Sequence, residues 1–487
     1  MHRAGVGLSG APVVMPVDEQ EEMRVGRRRA VVIAAVAVGA LGLGYASADA
    51  ADLVPGPLTT QPAPPPPEPF PTPSPPAGVA VPLVLPALDG AAPVPAAASL
   101  DGALTELRTA PEVGAPPGVL VVDVATGQDV VAADPDLARL PASTTKVLTA
   151  AAAVATLDLA STLPTTVRLD GADGLVLVGG GDIALAAGAG DPTAVVGRAG
   201  LGDLADATAA ALAQRGVASV TLAVDDTLFS GPGQAPGWSS IDLTGGFVAP
   251  VHPLGVDVGL IPGREARDGD PAGAAAQTFA QALAERGVEV REGPSRGSAG
   301  DGSVELARVD SATIGEIVDL AMADSDNTLT EVLGRLVAVA AGQPATFEGA
   351  TTAILDTLAN LGLDVSGTAL SDASGLSSAN RISPRLLTDL LVLAATDDAL
   401  RPLTTSLPVA GLEGTLANRT LDDGLVRAKT GTLPGVVSLA GYTVTADGRA
   451  VAFAVMADAV PPAGSYQARL EIDAWVRTLT ACGCSDG

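Results

Sequence analysis

The segment PASTTKVLTAAAAV, Pro141–Val154, holds one of only two lysines in 487 residues; RAKTGTLPGV, Arg427–Val436, holds the other. The remaining 25 of 27 basic residues are Arg, so Arg supplies a plain positive charge nearly everywhere. Arg effectively never deprotonates, whereas a Lys amine becomes neutral when burial and nearby positive charge depress its pKa. Lys146 follows Ser143 by three residues. It stands at the head of residues 144–157, rich in Ala, Leu and Val and free of Gly and Pro, which reads as a buried helix. That spacing puts hydroxyl and amine on one helical face, a turn apart. A nucleophilic Ser needs a neighbour able to take its proton, and a desolvated Lys is such a neighbour. The helix N-terminus adds a field favourable to negative charge developing at Ser143.

Alone, Ser-x-x-Lys also describes an ordinary helix start with a solvated Lys. Two further motifs change that weighting. MADSDNTLTEVLGR, Met322–Arg335, carries Ser325-Asp326-Asn327 where one helical run meets another. Asn is scarce, occurring only at 327, 360, 380 and 418. An Asn amide holds a substrate amide and a Ser hydroxyl relays a proton, although an N-cap explains the same residues. Lys429-Thr430-Gly431 then leads into a strand-like hairpin. Ser-x-x-Lys, Ser-Asp-Asn and Lys-Thr-Gly, in that order, are the motif set shared by class A β-lactamases and penicillin-binding proteins. Both lysines of the chain fall inside it.

Elsewhere the chain sets limits on function. A formal charge of −28 argues against nucleic acid, whose phosphates require a basic surface. The apolar fraction of 47% is ample for a core, but only 2% is aromatic, so that core must be built from Ala, Val and Leu. With His2 and His252 the only histidines, a multi-histidine metal site is excluded, and no metal or cofactor is expected. A Ser-His-Asp triad would rest on His252 alone. Cys482 and Cys484 close almost no loop and make no staple for the fold.

Residues 1–50 read as a signal peptide or N-terminal membrane anchor. Arg24 and Arg27–Arg29 precede the apolar run Ala30–Ala48, which ends in Ala46-Ser47-Ala48. Membrane contact is expected through that run only, and the bulk of the chain is expected outside the cytoplasm, secreted or anchored, in the cell-wall space. Residues 51–98 read as a Pro-rich spacer, with 12 prolines between Pro55 and Pro76. Folded patterning begins near Ser99. Gly118–Asp134 suggests a hairpin around Ala125–Gln128, and residues 436–458 suggest a longer one turning at Ala446-Asp447-Gly448. Between about 170 and 307, strand-like LVLVGGGD and ASVTLAVDD alternate with helix-like runs, as in a separate α/β unit. Helices are expected from Ser311 to Ala395, and a last helix over Ser465–Ala481. Gly179–Gly181 lacks the following Lys-Ser/Thr pair of a phosphate loop and reads as a tight turn.

With these motifs in place, the sequence resembles the class C low-molecular-mass penicillin-binding proteins. The likeness is to the penicillin-binding protein 4 type of D-alanyl-D-alanine carboxypeptidase/endopeptidase, and it runs from about Gly118 to the C-terminus. It rests on PASTTK, LVLVGGGD, VDDTLFSGP, the APGW ending at Trp238, MADSDNTLTEVLGR, LSDASGLSSANRISP, LPVAGLEGTLANR and AKTGTLPGVVSLAGY. The resemblance implies an α+β serine β-lactamase/transpeptidase-like domain, an antiparallel sheet with helices. An α/β domain is inserted between the Ser-x-x-Lys and Ser-x-Asn motifs. Residues 99–168 and 308–487 would form the catalytic domain and 169–307 the insertion.

It further implies that Ser143 is the acylated nucleophile, Lys146 its general base and Ser325 the relay to the departing amine. Asn327 would bind the peptide amide, and Lys429 and Thr430 the terminal carboxylate. Thr432 and Ser143 would supply the oxyanion-binding N–H groups. Peptidoglycan stem peptides are the implied substrate and β-lactam antibiotics the implied covalent inhibitors. Asp372 and Ser374, in SDASGLS, are further candidates beside the site, with a turn-forming role as the simpler reading.

Three other readings differ in class. An exported serine β-lactamase would share the motifs but need a dedicated base for rapid deacylation, and the sequence identifies none. A non-enzymatic wall-binding homologue would show a broken motif, and none is broken. A Ser-His esterase would need His252.

Overall fold

A computed structural model describes residues 43–49, 51, 53 and 90–482. The expected signal or anchor and most of the Pro-rich spacer lie outside the described residues. No helix among the described residues is long and apolar enough to cross a membrane.

After helix α1 (Ala97–Thr109), strands β1 (Gly118–Asp123) and β2 (Asp129–Ala133) form the first hairpin. Gly127 has the positive φ of 69° in its turn, and Thr126 Oγ1 donates to Asp123 at 2.5 Å. A short 3-10 turn, Ala142–Thr144, leads into α2 (Thr145–Thr156). Ser143 therefore stands in the turn that feeds the helix rather than in the helix itself.

Next come β3 (Thr162–Asp170), β4 (Gly174–Gly179), β5 (Asp182–Leu185), α3 (Leu201–Gln214), β6 (Ser219–Asp225), α4 (Ser240–Thr244) and β7 (Leu254–Val256). They are followed by α5 (Pro271–Glu285), β8 (Glu289–Val290), β9 (Ser295–Arg296) and β10 (Val304–Thr313). Helices α6 (Ile314–Ala323), α7 (Asn327–Ala340), α8 (Phe347–Asn360), α9 (Pro384–Thr396) and α10 (Arg401–Ser406) lead to β11 (Val426–Leu433). Strands β12 (Val436–Val444) and β13 (Ala450–Ala457) and the last helix α11 (Ser465–Ala481) complete the order.

One sheet, in the order β11-β12-β13-β1-β2, is antiparallel throughout. It is covered on both faces, so its strands are apolar continuously rather than in alternation. In β13, Val451, Phe453, Val455 and Ala457 pack with Leu100 of α1 and Ile472, Trp475 and Leu479 of α11. Ala452, Ala454 and Met456 face the other way, into the cluster built by α2, α7, α8 and α9. The period-2 geometry of a strand sends successive side chains into these two cores. A second sheet, β10-β3-β4-β6-β8, joins antiparallel β10, β3 and β4 to parallel β6 and β8, with β9 also on β6. Strands β3 and β10 run across the expected boundaries at 168/169 and 307/308, and the described residues from 90 to 482 belong to one compact unit.

One expectation shifts and another holds. Ser311 and Ala312, expected to open the helical run, belong to β10; the helix starts after Thr313, which caps it reciprocally with Glu316. Gly179–Gly181 does turn the chain, between β4 and β5: a Cβ on Gly180 would overlap Pro164 O, and Gly181 has φ 114°. Cys482, at the end of α11, is disulfide-bonded.

A buried ion pair pins the large sheet. Asp123 at the end of β1 meets Arg449 just before β13, with Arg449 Nε donating at 2.6 Å and Nη2 at 2.5 Å. Arg449 also donates to Gly90 O at 2.5 Å. Arg449→Ala leaves a buried carboxylate without its counter-charge, and a loss of about 3–5 kcal/mol is expected in denaturant unfolding. A loss under about 1 kcal/mol would show that water reaches Asp123 freely.

Candidate active site

The turn that carries Ser143 sits on the large sheet. Ser438 Oγ of β12 donates to Pro141 O at 2.6 Å, and Thr144 Oγ1 to the same carbonyl at 2.7 Å. Opposite Ser438 in register is Gly431 of β11. A Cβ on Gly431 would overlap Ser438 Oγ and stand 2.7 Å from Pro141 O and 3.1 Å from Ser143 N. Ala142, directly before Ser143, has the left-handed φ of 50°. Such a conformation costs a non-glycine residue about 1–2 kcal/mol and is held by its surroundings. Gly375 is among them: with φ 86°, its absent Cβ would overlap Ala142 O.

Ser143 is half-buried and Lys146 wholly buried. Lys146 Nζ lies 3.1 Å from Ser143 Oγ, 2.5 Å from Asn327 Oδ1 and 2.8 Å from the carbonyl of Ser374. Burial lowers the Lys146 pKa to about 8, against the opposing pull of Asp372, Glu331 and Asp326. The amine thus touches the hydroxyl and loses its proton far more readily than an exposed lysine does.

Asn327 opens α7, beneath an Asp326 side chain that caps the helix by accepting from Leu329 N at 2.8 Å. The amide of Asn327 is oriented at both ends, since its Nδ2 donates to Phe247 O at 2.9 Å. Ser325, with φ 59°, makes the link between α6 and α7. Sequence proximity brings Ser325 to the site, but its hydroxyl makes no hydrogen bond to either lysine.

Lys429 lies in β11, fully buried, with Nζ donating to Thr430 O at 3.1 Å. Burial first, then the Lys146 charge, hold its pKa well below the usual lysine value. Thr430 Oγ1 donates to Thr415 Oγ1 at 3.0 Å, and the Thr432 side chain is exposed. Strand β11 is the last in its sheet. From Lys429 to Leu433 its outer edge has no backbone partner among the described residues.

Asp372, left open between function and turn, is a buried hub. Its carboxylate accepts from Gly375 N (2.9 Å), Ser377 N (2.6 Å), Trp238 Nε1 (2.9 Å) and Asn380 Nδ2 (2.7 Å). Residues from within the sequence insertion reach the site: Trp238 through Asp372, Phe247 through Asn327, and Arg267, which donates to Asp326 at 3.3 Å. Arg335, two turns after Asn327, stacks 4.3 Å over the Phe347 ring and donates to Ser230 O at 2.6 Å, fixing the VDDTLFSGP stretch. His252 is engaged elsewhere, with Nδ1 3.1 Å from Asp226. Ser143 pairs with Lys146 and not with His252.

Sequence reading passed over Glu331, Gly375, Gly431 and Ala142. Glu331 was visible as an acid four residues past Asn327 on the same helical face, amid apolar neighbours. No group of His, Cys, Asp and Glu suited to a metal ion occurs among the described residues.

A hydroxyl braced against a desolvated amine, beside an open strand edge on an antiparallel sheet, defines a serine peptidase of the penicillin-binding and β-lactamase fold class. The chain belongs to the D-Ala-D-Ala carboxypeptidase 3 (S13) family, whose profile matches residues 100–271 and 263–479. It is 39% identical over 470 residues to carboxypeptidase DacB of Mycolicibacterium smegmatis, covering 93% of this chain and 95% of that one. A carboxypeptidase of Mycobacterium tuberculosis is 37% identical over 420 residues, covering 82% of this chain and 88% of the relative. Among solved structures, penicillin-binding protein 4 of Haemophilus influenzae superposes with a TM-score of 0.63 at 22% identity, over 77% of this chain and 99% of that one. That likeness bears on the fold.

Proposed function

We propose that the chain is an exported D-alanyl-D-alanine carboxypeptidase that cleaves peptidoglycan stem peptides through an acyl-enzyme on Ser143. The observation that carries this reading is the 3.1 Å contact between Ser143 Oγ and a buried Lys146 amine. As Oγ attacks the carbonyl of the penultimate D-Ala, Lys146 takes its proton. The C–N bond then breaks, the terminal D-Ala amine gains a proton through Ser325, and the peptide remains as an ester on Ser143. Water hydrolyses that ester and restores the hydroxyl. N–H groups of Ser143 and Thr432 hold the oxyanion, where one donor is worth about 3–4 kcal/mol in well-studied cases. Asn327 binds the peptide amide. Lys429 and Thr430 meet the terminal carboxylate, whose charge favours the ammonium form of Lys429. The extended peptide pairs along the open edge of β11. A β-lactam acylates the same oxygen, but its leaving amine stays tethered.

Mass spectrometry after incubation with labelled penicillin tests the reading: the adduct is expected on the Ser143 peptide, and an adduct elsewhere overturns it. Release of D-Ala from a D-Ala-D-Ala-terminated peptide is the matching activity assay, and prompt penicillin turnover would favour the β-lactamase instead.

The acylation rate should depend on pH in a defined direction. Below about 8 Lys146 carries its proton and cannot accept another; above it the amine is free. The second-order rate constant for penicillin acylation is therefore expected to rise about tenfold per unit on the acid side and level off above about pH 8. A rate independent of pH between about 6 and 9 would remove Lys146 as the base.

A further inference from the structure

The helix that carries Asn327 turns a second polar residue inward. Glu331, one turn further along α7, is 1% exposed. Its carboxylate accepts from the backbone N–H groups of Ala373 at 3.1 Å and Ser374 at 2.8 Å. The carbonyl of that same Ser374 accepts from Lys146 Nζ at 2.8 Å. Gly334, on the next turn, lets helix and loop approach: a Cβ there would lie 2.7 Å from the Ala373 Cβ. One of the three acceptors around the general base thus hangs from a carboxylate that the reaction above does not use.

Charged groups face Glu331 from every side. Asp372 faces it from the loop, Lys146 from α2 and Arg335 from its own helix, while Asp326 and Lys429 act on Lys146 from further out. Burial, and then the Asp372 charge, push Glu331 up to about 8, against the pull of its N–H donors. Lys146, lowered by burial to about 8, is drawn back up by Asp372, Glu331 and Asp326. Acid and base therefore titrate in one range and behave as a coupled pair.

We propose that Glu331 is a positioning residue for the general base: it holds the Ser374 carbonyl against the Lys146 amine, and its ionisation sets the pH at which that amine becomes free. The proposal rests on the acyl-enzyme reading above. An ionised Glu331 places negative charge behind Lys146 and retains the ammonium. A protonated Glu331, or an amide in its place, lets the Lys146 proton leave at lower pH.

Glu331→Gln keeps a carbonyl oxygen for the two N–H donors and removes the charge. The rate constant for labelled-penicillin acylation of Ser143 is measured against pH in the full chain and in this variant. The acid limb of the variant is expected to move to lower pH by about half a unit to one unit. A folded variant with an unmoved limb overturns the proposal, whatever its plateau rate, because a merely structural role lowers the plateau and leaves the limb in place. A second measurement needs no variant. With glutamate carboxyls labelled with carbon-13, the infrared spectrum of the wild type should show a protonated carboxyl band that vanishes on the acid side of the limb's midpoint, because the carboxyl of an attracting pair loses its proton first. Buried Asp182, raised to about 7, stays unlabelled. Absence of that band overturns the proposal even where Glu331→Gln does not fold. A wild type that penicillin does not label at Ser143 overturns the acyl-enzyme reading and this one together; labelling with an unmoved limb overturns this one alone.

Discussion

Lys146→Arg is expected to slow acylation of Ser143 by about 10³-fold or more, equivalent to roughly 4 kcal/mol of barrier. The substitution keeps a positive charge at the same point on α2, so electrostatic support alone cannot explain the loss. What disappears is the neutral form. The wild-type amine is brought to about 8 by burial, whereas a guanidinium stays protonated at any pH the protein survives. A second burden follows from position. Lys429 is already depressed by burial and by the Lys146 charge, and a permanent cation in that place would hold it there at every pH. Stopped-flow or gel-based measurement of labelled-penicillin uptake, beside a thermal melt to establish folding, reads the effect. A folded variant within about tenfold of wild type would show that the reaction does not need an amine that deprotonates.

Gly431→Ala is expected to lower the same rate constant by about 10²-fold while leaving most of the fold intact. The backbone of Gly431 is ordinary strand, so nothing about φ forbids alanine. Space forbids it. The new methyl group would overlap Ser438 Oγ and press on Pro141 O and Ser143 N, the atoms that seat the nucleophile turn on the sheet. Because Ser438 Oγ holds Pro141 O, the turn and β11 must separate. The Ser143 and Thr432 N–H groups, proposed to hold the oxyanion, would then be pulled apart. A displacement near 1 Å at such a site costs about 10²-fold. Unchanged acylation would mean that the turn moves with the strand as one body.

Ser143, Lys146 and Asn327 were legible because local order and rarity marked them. With only two lysines in the chain and four asparagines, a Ser-Lys pair one turn apart and an Asn at a helix junction stand out. Strands β12 and β13 were readable as a hairpin from Asp447-Gly448, although residues facing two cores erased their alternation. What was not legible depends on distance along the chain. The Trp238–Asp372 hydrogen bond joins residues 134 apart, and Arg335 finds its carbonyls at Ser230 and Pro232, more than 100 residues back. No local pattern announces such pairings. Glycines 375 and 431 read as turn and strand residues, since sequence does not say what their missing side chains would strike. Left-handed Ala142 and Ser325 are conformations that alanine and serine seldom adopt, so composition points away from them.

The bare rim of β11 also bears on how copies of the protein coexist. An unpaired strand border accepts any extended chain, and two such borders can zip together. Here the unpaired length is short, running from Lys429 to Leu433 before Pro434, which has no N–H to offer a neighbour. A formal charge of −28 keeps the molecules apart at a distance. That repulsion weakens with salt, since charges beyond roughly 8 Å are screened at physiological ionic strength. If the proposed peptide pairs there, colloidal behaviour and substrate access are tied to one seam, and whatever seals it against self-association also shuts out the peptide.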